Sequence, residues 1–102
     1  MPGYNSESIE NLIHTIAALQ TPEECRAFLE DLCTIKELQD MAQRFDTAVL
    51  LSQGKNYQEI SAQVGISTAT ISRVSRCLNY GSGGYRAAIE IMNAMENQNA
   101  DQ

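Results

Sequence analysis

Ser67, Thr68, Ala69, Thr70 and Ser72 fall together, and Arg73 and Arg76 follow them. Small, mostly hydroxylated side chains can approach base edges and phosphates without steric conflict, and the two guanidinium groups bring charge for a phosphate backbone. Ser and Thr are poor interior helix residues, so four of them crowding one short helical segment favours a binding face over an ordinary helical hairpin with a polar surface. Other chemistries find less support. His14 is the single histidine and has no paired nucleophile, and no pair of carboxylates suggests acid–base work, so no enzyme is expected. A phosphate cradle around Gly81, Gly83 and Gly84 would need a preceding strand and a following P-loop lysine, and has neither. Cys25, Cys33 and Cys77 are odd in number and form no CxxC pair. They are expected as free buried thiols in a reducing cytoplasm, with no metal site.

The stretch that must position the hydroxyl-rich face is Tyr57 to Leu78, which has the pattern of a helix-turn-helix. Ile60 and Val64 lie one helical turn apart, and Ile71, Val74 and Leu78 continue at helical spacing beyond the turn. Gly65 supplies the left-handed backbone that ends the first helix, Ile66 seats the turn, and Ser67 can N-cap the second helix. The small Ser61 stands where two steeply crossed helices must nearly touch. Lys55 and Gln58, at the head of the first helix, are placed to hold phosphates.

Four further helices are expected around this motif. The first, about Ser6 to Leu19, carries the stripe Ile9, Leu12, Ile13, Ile16 and Leu19. Thr21-Pro22-Glu23-Glu24 opens the second with a capping box, and Thr34-Ile35-Lys36-Glu37 opens the third. That third helix, about Ile35 to Gln53, shows Ile35, Leu38, Met41, Ala42, Phe45, Val49 and Leu50 as its apolar stripe. Tyr80 to Tyr85 is expected as a glycine-rich hinge, followed by a last helix from Tyr85 to about Met95. Residues 1–5 and 97–102 are expected to be flexible, and 1–102 to form one all-helical domain.

The net charge of −6 argues against a nucleic-acid partner, but its distribution matters more than its sum. Residues 1–31 hold six acids against Arg26, whereas residues 55–86 hold Lys55, Arg73, Arg76 and Arg86 against Glu59. The proposed head is therefore locally basic, and its hold on DNA should weaken strongly with salt. No apolar run is long enough to span a membrane and the N-terminus has no signal-peptide pattern, so a cytoplasmic protein is expected. So many narrow apolar stripes on one short chain ask for a second copy, and a dyad suits palindromic DNA.

Helix order, the capping threonines and the segment LSQGKNYQEISAQVGISTATISR together resemble the Trp-repressor superfamily over about Ser6 to Met95. The RCLNYGSGGY segment is most similar to its YerC/YecD-type branch; GISTATISRVSRCL alone also looks like the head of a LacI-type regulator. The resemblance implies an all-α, six-helix fold and an intertwined homodimer carrying two reading heads. In tryptophan-responsive members two arginines sandwich the corepressor, and by motif these fall on Arg44 and Arg73, with Val74 and Cys77 beside them. Those two positions depart from the glycine and serine of the family pattern, and one residue fewer separates Gly54 from Gly65. A branched side chain at Val74 would fill the space of the indole ring, so tryptophan is doubtful; no cofactor is expected, with another small-molecule corepressor left open.

The expected function is that of a dimeric, sequence-specific regulator of transcription, a repressor by resemblance, that binds double-stranded DNA. Ser67, Thr68, Ala69, Thr70 and Ser72 would face the major groove, with Lys55 and Gln58 on phosphates and Arg73 and Arg76 on phosphate or a ligand. The alternative is a protein-interaction module that keeps the helix-turn-helix shape without DNA.

Overall fold

The computed structural model describes residues 6–100. They form six helices: α1 (Ser6–Ala18), α2 (Pro22–Leu32), α3 (Ile35–Ser52), α4 (Tyr57–Val64), α5 (Thr68–Tyr80) and α6 (Gly84–Ala100), with no strand among them. The fold is all-α, as expected. The flexible ends expected at 1–5 and at 101–102 lie outside the described residues. Residues 97–100, expected to fray, instead continue α6. Nothing between Met95 and Ala100 is Gly or Pro, so no residue there stops the helix.

The chain packs as two units, one ending at Leu38 and the other beginning at Gln39. The first holds α1, α2 and the start of α3, and its helix starts follow from the sequence. Glu24 N–H donates to Thr21 Oγ1 at 3.1 Å while Thr21 N–H donates to Glu24 Oε1 at 3.1 Å, a complete capping box. Glu37 N–H and Thr34 Oγ1 are 3.0 Å apart, and Thr34 N–H reaches Glu37 Oε1 at 2.8 Å, the same device at α3. Each cap is worth about 1 kcal/mol to its helix. Apolar burial is another matter: neither α1 nor α2 has a buried residue. Ile9, Leu12, Ile13 and Ile16 line one face of α1 and are exposed, as is Leu32, and Ile35 is 77% exposed.

The second unit owns the buried core. Ala48, Val74, Leu78 and Ile89 pack together, with Phe45, Val49, Leu51 and Tyr85 against them. Ile60 and Ile71 are fully buried, so α3, α4, α5 and α6 all contribute to the interior. The face that α3 buries differs from the expected stripe. Thr47 and Ala48 are its fully buried residues, while Ile35, Met41 and Ala42 remain exposed. Thr47 tolerates this because its hydroxyl donates to Gln43 O at 2.8 Å, so its own buried polar group is paired. Neither residue belongs to the large apolar types, so an apolar-spacing argument does not detect this face.

Candidate nucleic-acid interface

The α4–turn–α5 segment, where a helix-turn-helix is expected, starts from a cap. Asn56 Oδ1 accepts from Glu59 N–H at 2.9 Å and opens α4. Gly65 ends it in the left-handed region at φ 82°, where a side chain would be strained, and its N–H donates to Ser61 O at 2.9 Å. Ser67 then caps α5, its Oγ accepting from Thr70 N–H at 3.2 Å. Ile71, Val74 and Leu78 anchor α5 in the core, all three buried as their spacing predicts. The opposite side is thereby turned to solvent, and Ser67, Thr68, Ala69, Ser72, Arg73 and Arg76 are all exposed. Lys55 and Gln58, at the head of α4, are exposed too.

Thr70 departs from this pattern. It is half-buried, its Oγ1 lies 3.0 Å from Ser67 Oγ, and it lines a cavity together with Arg73. As the third residue of α5 it faces back toward the cap, so its hydroxyl serves the helix start. Tyr80 departs in the other direction. Expected in the hinge, it is the last residue of α5, 86% exposed, and continues the series Ser72, Arg76 at helical spacing. That i, i+4 series was the available signal; the glycines after Tyr80 masked it. At Gly81 the N–H closes the helix on Cys77 O at 2.9 Å, and a Cβ there would drive into that carbonyl. Beyond the hinge, Arg86 donates to Asn79 Oδ1 at 3.0 Å, linking α6 to the end of α5.

Of the residues expected at a ligand pocket, two come together. Arg44 and Arg73 line a cavity of about 260 Å³ with Asp40, Gln43, Ile66 and Thr70. Val74 does not line it; at 2% exposure it points into the core with Ala48, Leu78 and Ile89. Helical geometry explains the split, since successive residues of a helix point about a quarter-turn or more apart. Cys77 is exposed, not buried as expected, and lines a surface depression with Gly81, Ser82, Gly84 and Tyr85. Cys25 and Cys33 are half-buried, and all three thiols are free.

Residues 7–93 match the family model of the Trp repressor protein. This chain belongs to the Trp-repressor family. YerC, an uncharacterized protein of Bacillus subtilis, is 42% identical over 96 residues, covering 94% of this chain and 92% of that protein. The crystal structure of a TrpR-like protein from Eubacterium eligens superposes with a TM-score of 0.81 at 41% identity, covering 85% of this chain and 90% of that one. A candidate Trp repressor from Staphylococcus aureus gives 0.82 at 39% identity, with 87% and 89% covered. The Trp-repressor assignment, its YerC-type branch and the six-helix architecture expected from the motifs therefore hold. Among the described residues no helix is long and apolar enough to cross a membrane, and no group of three His, Cys, Asp or Glu side chains could hold a metal ion.

Proposed function

We propose that this chain is a cytoplasmic transcriptional repressor that binds double-stranded DNA as a homodimer, with α5 in the major groove. The observation that carries the proposal is the two-sided build of α5. Ile71, Val74 and Leu78 fix one side in the core, and Thr68, Ala69, Ser72, Arg73 and Arg76 stand on the other. Short side chains near the N-terminal end of α5 suit base edges, and the arginines beyond them suit the flanking phosphates. Membership of a family named for a repressor supports the same role. A second copy would cover the apolar faces that α1, α2 and the start of α3 leave open.

Tryptophan is not required in this proposal. The cavity between Arg44 and Arg73 has polar walls, Asp40 among them, and Ile66 is its one apolar lining residue. Two guanidinium planes can stack on an indole, but the Asp40 carboxylate and a single apolar lining residue offer it little else. Val74 packs in the core and lines no part of this cavity, so the expectation that its side chain fills the indole's space does not hold. Titrating millimolar L-tryptophan while following heat release and DNA affinity should give neither saturable binding nor a change in affinity. Micromolar binding, or DNA binding seen only with tryptophan, would overturn this part.

Selection of bound fragments from a random duplex library tests the main proposal. The expected product is a palindrome whose half-sites lie about one helical turn apart. Failure to retard any duplex at micromolar protein and low salt would remove DNA and leave a protein-interaction module.

A further inference from the structure

The turn between α4 and α5 is tied by a side chain to which the family assignment gives no role. Ser61 Oγ donates to Ile66 O at 2.7 Å, spanning the whole turn from a half-buried position. Its own carbonyl accepts the Gly65 N–H at 2.9 Å, so both polar ends of Ser61 are committed to the turn. The preceding carbonyl, Val64 O, takes a longer bond from Gln43 Nε2 at 3.4 Å, which joins the turn to α3. The Ile66 carbonyl and the Ser67 N–H belong to one rigid peptide plane. Ser67 is the N-cap of α5, so whatever orients that plane orients the entrance to the helix.

We infer that the Ser61 hydroxyl is a positioning group, which sets the direction in which α5 leaves the turn and thereby aims Thr68, Ala69 and Ser72. Smallness alone would explain serine beside a close helix crossing, but it would explain alanine as well. Alanine is also the better helix former inside α4, so packing and propensity predict a neutral or stabilising Ser61→Ala. The hydroxyl inference predicts the opposite, because alanine leaves a half-buried carbonyl without its partner and frees the peptide plane. Threonine keeps the donor and should restore the aim.

The consequence at DNA rests on the proposed function; the geometry of the turn does not, and two measurements on the full chain separate them. Residual dipolar couplings of the backbone amides report the orientation of α5 against α4 without any DNA. Ser61→Ala should shift or average the α5 couplings relative to those of α4, and Ser61→Thr should return them toward wild type. Should alanine prevent folding, Ser61→Cys, a weaker donor, should give intermediate couplings. Wild-type couplings in the alanine variant, or in the cysteine variant if that is the one that folds, overturn the inference. So does failure of threonine to restore them.

The second measurement compares affinity for the selected duplex with affinity for random duplex. Ser61→Ala should lower that ratio by about tenfold, the effect of losing one well-made hydrogen bond, with the salt slope unchanged. An unchanged ratio alongside shifted couplings overturns the specificity role of Ser61. If the wild-type protein binds no duplex, the proposed function falls, while the couplings still decide whether Ser61 sets the helix.

Discussion

Arg76 and Thr68 both stand on the open side of α5, yet they would do different work at DNA. A phosphate contact from Arg76 is blind to sequence, so Arg76→Ala should weaken all duplexes alike and lower the salt slope by about one unit. In the proposed function Thr68, the first residue of α5, would meet base edges, where a good contact is worth roughly 1–3 kcal/mol of discrimination. Thr68→Ala should therefore change base preference at one position, measured as the ratio of specific to random affinity; equal loss on both would take Thr68 out of that role. Thr70 is a weaker candidate for the same part, since it is half-buried and its hydroxyl lies at Ser67. Residue type marked it as surface; its place as third residue of a capped helix decided otherwise. Arg44 shows the reverse. By its own sequence context it is a solvated charge, and only the family motif pairs it with Arg73, as the cavity does.

At the scale of elements, starts were more legible than ends. Thr21, Thr34, Asn56 and Ser67 are caps because a side-chain oxygen four residues or fewer from orphan amides has few better partners, and all four make that bond. The end of α6 was hidden because nothing marks it, and the buried side of α3 because Thr47 satisfies its own hydroxyl. The end of α5 is set by Gly81 through space, not through backbone angle. Adding a methyl group there forces Cys77 O or the hinge to move, a kind of overpacking that typically costs about 1–3 kcal/mol. Gly81→Ala should lower the urea midpoint by the equivalent amount with the slope unchanged. A wild-type midpoint would mean that the hinge yields freely.

For the whole molecule, the open apolar faces determine what stability means. The residues up to Leu38 form a unit of their own, and none of its described residues is buried in the single chain. Such a unit gains little from hydrophobic burial until something covers it, and a short domain has little stability in reserve. With the proposed dimer, folding and pairing are one equilibrium, and the midpoint of unfolding should rise with protein concentration. A midpoint independent of concentration, together with a monomeric sedimentation mass, would contradict it. The narrow stripes in the sequence pointed to this need, but no stripe by itself specifies which surface answers it.

Two of the exposed apolar side chains are thioethers, Met41 on α3 and Met95 on α6, the latter 56% exposed with its neighbour Ile91 at 63%. An exposed methionine is oxidised to a polar sulfoxide, and repair needs a dedicated reductase. A chain caught without its partner under peroxide would therefore have its covering surface rewritten, and would lose the ability to pair again. By mass action paired chains would then dissociate to replace them, so peroxide would drain the paired population through its unpaired fraction. Mass spectrometry of peroxide-treated protein should show Met41 and Met95 oxidising faster in dilute than in concentrated solution, with half-buried Met92 slower in both. Equal rates at every concentration would show that these methionines are never covered.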